Sequence, residues 1–302
     1  MALIAGPTAS GKSALALQLA ERVGGTIINA DSAQIYRDLP ILSAAPSPED
    51  RSRVSHLLYG ILDGSKPCSA AEWAELAKAE VAQLHSEGKI PILVGGTGLY
   101  LRTLLDGIAP IPAIDPEIRK AVRGASVAEN LARLASLDPV AAASLHPGDT
   151  TRIARALEVV RSTGRTLAEW QQHRAGGIGD DVDLKALILL PPRPWLYARC
   201  DRRFAVMVEQ GAVGEVEKLL NRKLDPQLPI MRAIGVPEIR AFLQQQLSLD
   251  DAIAAGQQAT RNYAKRQYTW FAHQPPADWA RFHDAVEKDA VERALALFVP
   301  AG

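Results

Sequence analysis

The chain has 302 residues, 47% of them hydrophobic and 23% charged, with 34 basic and 34 acidic side chains and no net charge. That length and balance exclude a disordered or low-complexity chain and leave room for a large α/β domain with a smaller one added to it. Two cysteines without any paired spacing, Cys68 and Cys200, exclude a disulfide framework and a Cys-rich zinc module and fit a reducing compartment.

The first predicted element is a strand over Ala2–Ala5. Its early start leaves no room for a signal or transit peptide, and no apolar run approaches the ~20 residues of a membrane helix, so the expected location is the cytoplasm, with no membrane partner. The strand runs into "GPTASGKS", which fits the spacing G-x-x-x-x-G-K-[ST] and precedes a helical pattern over Ser13–Val23. Gly6, Pro7, Thr8, Ala9, Ser10, Gly11, Lys12 and Ser13 are therefore predicted to form a phosphate-binding loop. Its backbone amides and the first helical turn face an anion, Lys12 adds a charge, and the Ser13 hydroxyl suits Mg²⁺. The pattern alone leaves open nucleotide hydrolysis, phosphoryl transfer or the gripping of a leaving group.

A second strand over Thr26–Asn29 ends in "NADSAQIYRDL". In a doubly wound sheet the carboxyl ends of neighbouring strands face one crevice, which brings Asp31, Ser32 and Gln34 near the loop. Asp31 is then either the cap of the following turn or a general base or metal partner. A helical pattern covers Ala70–Glu87, and the next strand, Ile90–Val94, runs into "GGTGLY". Hydrolytic P-loop enzymes need an acidic residue at such a strand end to orient Mg²⁺. None stands here, and the Asn-Lys-x-Asp pattern of a guanine-specific switch is also missing. Thr97 supplies a hydroxyl from this third strand end.

Between "IAPIPAIDP" (108–116) and "HRAGGIGDD" (173–181), strand signals vanish and helical spacing takes over. The expected division is a core over 1–113, a helical insert over 114–180 and the rest of the core with C-terminal helices over 181–302. In the insert, Ile153, Ala156, Leu157 and Val160 share one helical face while Arg152 and Arg155 share another. Charge is segregated: residues 1–118 hold 9 basic and 13 acidic side chains, whereas 119–174 hold nine basic and five acidic. Such a local basic excess suits a polyanion. A strand over Leu184–Leu190 and a helical pattern over Val213–Leu220 return to the α/β alternation. Near the end, Arg261, Lys265 and Tyr268 recur at i, i+4, i+7 as a basic aromatic stripe, with Tyr263, Trp270 and Phe271 assigned to the core. The fold class expected is α/β, a P-loop NTPase-like doubly wound parallel sheet with a helical insert domain.

Seven motifs, in order, resemble the tRNA dimethylallyltransferases, the isopentenyl transferases: "GPTASGKS", "DSAQIY", "ILVGGTGLYL", "DPEIR", "LHPGDTTRIARALEV", "LYARCDRRF" and "TRNYAKRQYTWF". The resemblance covers nearly the whole chain. It implies that the loop grips the diphosphate of dimethylallyl diphosphate, which departs as N6 of the adenine 3′ to the anticodon attacks the allylic carbon. By resemblance Lys12, Mg²⁺ on Ser13 and Arg199 neutralise the leaving group, Asp31 takes the N6 proton, and Thr97 positions the reacting groups. Asp31, Ser32, Ala33, Gln34 and Thr97 would meet the flipped base. Arg119, Thr151, Arg152, Ile153, Ala154, Arg155, Arg232, Arg261 and Lys265 would contact the tRNA anticodon arm, in an enzyme acting as a monomer. Ala45 stands where many relatives carry lysine and Val236 where many carry tyrosine, and the metal finger of eukaryotic members is missing. Two rival readings are a small-molecule kinase or phosphotransferase using the same loop and a non-catalytic RNA-binding NTPase switch.

Overall fold

The computed structural model describes residues 1–287 and 289–298. Among these, six strands form one parallel sheet: β1 (Ala2–Ala5), β2 (Thr26–Asn29), β3 (His56–Leu57), β4 (Pro91–Gly95), β5 (Lys185–Leu189) and β6 (Ala280–Phe282), in the order β3-β2-β4-β1-β5-β6. β1 is central, with Ala5 beside Gly95 on one side and Ile188 on the other. Strands buried on both faces read as continuous apolar runs, which is how the four longer strands stand out in the sequence. β3 and β6 gave no such run, being two and three residues long at the sheet edges.

One face of the sheet packs Ile4, Ile27, Ile92 and Leu187 against Leu15 and Leu19 of the helix Lys12–Val23 and against Leu295. The alternate residues Leu3, Ile28 and Leu93 are equally buried toward the other face. There the helix Ala70–Ser86, started by a Ser69–Glu72 capping box, brings its fully buried Trp73 to donate from Nε1 to the Asn29 carbonyl at 2.9 Å.

The chain divides into two compact units, one of residues 1–104 with 179–302 and one of residues 105–178. The second starts earlier than the Pro-rich punctuator at 108–116 suggests, because Ile108 bridges antiparallel to Ala175 and closes the base of the unit before the prolines are reached. It is helical throughout its main part, with capping boxes at Ser126–Glu129 and Thr166–Glu169 and Asp149 capping the helix Thr150–Thr163. Ile153, Ala154, Ala156, Leu157 and Val160 of that helix form the unit's core with Val122 and Leu134.

Candidate active site

The site is assembled at the carboxyl ends of β1, β2 and β4, all in the first unit. After β1, the loop Gly6–Ser13 turns into the helix Lys12–Val23 at Gly11, whose φ of 100° suits a residue without a side chain. No side chain caps that helix start, so its first amides remain open to an anion. Lys12 Nζ donates to the Pro7 carbonyl at 2.6 Å across the loop, and burial pulls its ammonium down to about 8, opposed by the Asp31 carboxylate. Ser13 is exposed at the start of the helix. Ser10 is fully buried, and its hydroxyl finds no partner among the described residues.

The helix Arg193–Glu209 lays three arginines beside this loop, where Arg199, Arg202 and Arg203 line a cavity of about 400 Å³ together with Lys12 and Ser13. Arg199, the residue picked from the sequence, donates from Nε to the Ala9 carbonyl at 3.0 Å, lies over the Trp195 ring and comes within 3.9 Å of Glu287. Arg203, which sequence reasoning passed over, is half-buried like Arg199 but lines both of the site's cavities. Burial holds its guanidinium below the usual arginine range, opposed by Asp31, and Nη1 lies 3.5 Å from Thr8 Oγ1. It also lines a second cavity, of about 370 Å³, so the two cavities share this residue.

The second cavity is largely apolar, walled by Leu39, Phe204, Met207 and Ile230, with Asp31 and Tyr263 on its surface. Asp31 performs the turn role outright: Oδ1 accepts from the Ala33 N–H at 2.9 Å. Its Oδ2 takes no hydrogen bond among the described residues, so capping and proton acceptance are available to one carboxylate at the same time. Asn29 fixes the backbone beneath it, with Oδ1 accepting from Asp31 N at 2.8 Å and Nδ2 donating to the Asp31 and Leu58 carbonyls at 3.0 Å. Thr97, after β4, accepts at Oγ1 from Ser32 N over 3.0 Å, and Tyr263 meets the same hydroxyl.

Other expected contacts are placed differently. Ala33 and Arg232 line the apolar cavity, Arg232 donating to the Gln227 carbonyl at 2.8 Å. Gln34 does not line it. Both Nε2 hydrogens are engaged by the carbonyls of Ser43 and Ala44 at 2.8 and 2.9 Å, leaving only the acceptor oxygen for a base. That amide and Glu215, which accepts from Ile41 and Leu42 amides at 2.7 and 2.9 Å, hold the stretch that carries Ala45. Val236 is fully buried, which makes it a packing residue.

The C-terminal stripe is corrected more sharply. Arg261 pairs with Asp201 and donates to Gln258 at 2.6 Å, locking two helices together; Tyr268 packs on Leu196 and Cys200 beneath Arg193, and of the three only Lys265 is exposed. Tyr263, assigned to the core from its sequence, faces the cavity instead. In the second unit, Arg119, Thr151 and Arg152 are exposed and Arg155 is half-buried, but Ile153 and Ala154 are 0% and 2% exposed. The side chains of the last two belong to the unit's core, in line with the helical period that assigns Ile153 to packing, and offer RNA no exposed surface.

The model of the IPP transferase family matches residues 34–274. The chain belongs to the IPP transferase family. It is 61% identical over 293 residues to the tRNA dimethylallyltransferase of Sphingopyxis alaskensis, a match spanning 97% of this chain and 96% of the relative. The corresponding protein of Zymomonas mobilis is 53% identical over 284 residues, spanning 94% of this chain and 91% of that one. Among solved structures, the tRNA isopentenylpyrophosphate transferase of Bacillus halodurans superposes with a TM-score of 0.72 at 32% identity, covering 98% of this chain and 94% of that one. A eukaryotic dimethylallyltransferase acting on tRNA gives a TM-score of 0.83 at 28% identity, covering 98% and 77%.

Proposed function

We propose that this member of the family is a tRNA dimethylallyltransferase that moves the dimethylallyl group of dimethylallyl diphosphate to N6 of the adenine 3′ to the anticodon, releasing diphosphate. The observation that carries the reading is Arg203, a half-buried cation that lines both a cationic loop cavity and a largely apolar cavity that holds Asp31. Burying a cation without a full partner costs stability, and a diphosphate beside Lys12 and Arg203 supplies the missing negative charge. The apolar cavity next to it takes the hydrocarbon and the extruded base.

An exocyclic adenine amine is a weak nucleophile because its lone pair is delocalised into the ring. The residues here answer in two ways. Lys12, the open loop amides and Arg203 stabilise the charge that develops on the departing diphosphate, with Arg199 bracing the loop at Ala9. Asp31 Oδ2 accepts the N6 proton while Oδ1 keeps the turn in place, and Thr97 fixes the Asp31–Ser32 segment. Mg²⁺ suits this loop: the residues lining its cavity carry the Ser13 hydroxyl but no carboxylate, and Mg²⁺ is commonly held by few protein ligands with phosphate oxygens and water. Bound there on Ser13, it would neutralise diphosphate charge. Ser32 and Ala33 face the base, and the exposed Arg119, Thr151 and Arg152, the half-buried Arg155, and Lys265 contact tRNA phosphates. One chain supplies every group, so a monomer in the cytoplasm suffices. No helix of the described residues is long and apolar enough to cross a membrane.

Incubating unmodified tRNA with the protein and isotopically labelled dimethylallyl diphosphate, then digesting and weighing the nucleosides, tests the reading. A labelled prenyl group on one adenosine is the expected outcome. Turnover of a nucleoside triphosphate with unlabelled tRNA would point to a phosphotransferase instead.

A further inference from the structure

The helix Leu249–His273 carries a glutamine that the site's chemistry does not yet use. Gln267 is 6% exposed, and its carboxamide is committed at both ends: Oε1 accepts from the Thr8 amide at 2.7 Å, and Nε2 donates to the Gly96 carbonyl at 2.8 Å. Thr8 is in the phosphate loop after β1; Gly96 immediately precedes Thr97 after β4. Among the described residues, the backbone positions held by this amide are therefore one on the leaving-group side of the site and one on the side of Asp31, Ser32 and Thr97. The amide's orientation is fixed by its partners, since an N–H needs the oxygen and a carbonyl needs the nitrogen.

The β4 turn is shaped around this amide. A Cβ on Gly96 would lie 2.3 Å from Gln267 Nε2 and 3.1 Å from the Gly6 carbonyl, so a side chain there would push the amide out of its bridge. Four residues back along the same helix, Tyr263 reaches the Thr97 hydroxyl; three residues on, Trp270 packs where a Cβ on Gly98 would stand, 2.6 Å away. One helical face thus meets each part of the turn, and Gln267 alone among the three extends the connection to the phosphate loop.

We propose that Gln267 is a positioning residue for prenyl transfer, holding the phosphate loop at Thr8 and the β4 turn at Gly96 in one register so that the allylic carbon and the adenine amine meet in line. The inference rests on the transferase reading above. Loop anchors that do not involve Gln267, from Lys12 to Pro7 and from Arg199 to Ala9, keep the diphosphate cradle formed without it. Its loss therefore acts on the chemical step more than on donor binding, because small misplacements of reacting groups cost orders of magnitude in rate.

The test compares Gln267→Met, which keeps the volume and removes both hydrogen bonds, with Gln267→Glu, which keeps the acceptor for Thr8 and sets an oxygen against the Gly96 carbonyl. Folding is checked by melting temperature. Single-turnover transfer with both substrates saturating is expected to fall about tenfold or more in each, with affinity for inorganic diphosphate within about threefold of the parent. The fall from Gln267→Met should shrink markedly in a Thr97→Val background, because the amide acts through the turn that bears Thr97. If Gln267→Met misfolds, Gln267→Glu carries the same comparison. Transfer within about threefold of the parent, full additivity with Thr97→Val, or a loss confined to diphosphate binding overturns the proposal. A parent protein that prenylates no tRNA overturns the transferase reading and this inference together, whereas an active parent with an unaffected Gln267→Met overturns this one alone.

Discussion

The Ser32 amide donates to Thr97 Oγ1 over 3.0 Å, and the same hydroxyl donates back to Ser32 Oγ over 3.3 Å. This pair ties the segment after β2 to the segment after β4 across residues far apart in sequence. Asp31 precedes the tied residue directly, so its backbone is held from below by Asn29 and from the side, through Ser32, by Thr97, while its carboxylate is anchored at Oδ1 by the Ala33 amide. If Asp31 is the proton acceptor proposed above, a carboxylate fixed in this way needs no rearrangement when the amine arrives, the condition under which such groups work best.

Replacing Asp31 by Asn separates its two jobs. The Asn oxygen still accepts from the Ala33 amide, so the turn survives. It cannot take a proton. Single-turnover transfer with both substrates saturating is expected to fall by roughly 10² to 10⁴, the usual contribution of a general base, while tRNA and donor bind within a few-fold of the parent. A rate near that of the parent would leave Asp31 with the turn alone.

Arg203 and Arg199 are expected to differ. Arg199 braces the loop through a backbone carbonyl and lies over Trp195, whereas Arg203 lines both cavities, and desolvation holds its guanidinium below the usual arginine range. Arg203→Ala should weaken inorganic diphosphate binding by about tenfold or more, as losing a buried charge-assisted contact does, and Arg199→Ala by clearly less. Isothermal titration of the two variants with diphosphate decides it, and the reverse ranking would return the clamp to Arg199.

Lys12 gives the site a pH dependence. Burial lowers its pKa to about 8, below the ordinary lysine value, so the charged form is disfavoured in the folded protein. Between that value and the unfolded one, the unfolded chain binds more protons, and stability contributed at this group rises with pH across the window; below about 8 the penalty for burying the charge is fully present. Lys12→Met should therefore raise the melting temperature of the donor-free protein at pH 7 while impairing diphosphate binding. In the parent, diphosphate affinity should fall as pH rises through about 8, with proton uptake on binding, and Lys12→Met should lose that uptake. Calorimetry in two buffers of different ionisation heat measures it.

Much of this was legible in the sequence wherever one residue type has a single physical use. The glycine and lysine spacing after an apolar run specified the phosphate loop, and the longer strands announced themselves because burial on both faces demands unbroken apolar residues. What stayed hidden depends on where helices dock. Arg203 and Arg199 lie one turn apart in the same motif, and only the packing of their helix shows which of them also lines the apolar cavity. Gln267 looks like any polar residue on a long helix, and Arg261 looks like a free cation until Asp201 is found opposite it. The edge strands β3 and β6 are too short to carry a pattern at all.

The helix Thr150–Thr163 allows the RNA role and the packing role of one motif to be told apart. Arg152 is exposed, its side chain 77% accessible and only loosely paired with Asp149 at 3.4 Å, so its removal costs the fold little. Ile153, next to it, is 0% exposed among Val122, Leu134 and Leu157. If the basic face meets tRNA phosphates, Arg152→Ala should weaken tRNA binding and lower the slope of its salt dependence by about one, through one fewer counterion released, with diphosphate affinity unchanged. Ile153→Ala should instead cost about 2–5 kcal/mol of stability, by opening a cavity in the unit's core, and at a temperature where it remains folded its salt slope should match the parent's. Filter binding across a salt series, set beside thermal unfolding of both variants, separates the two roles. An unchanged slope in Arg152→Ala would remove this residue from the RNA surface, because an exposed arginine that neutralises a phosphate must register in the salt dependence whether or not it contributes to the sequence read.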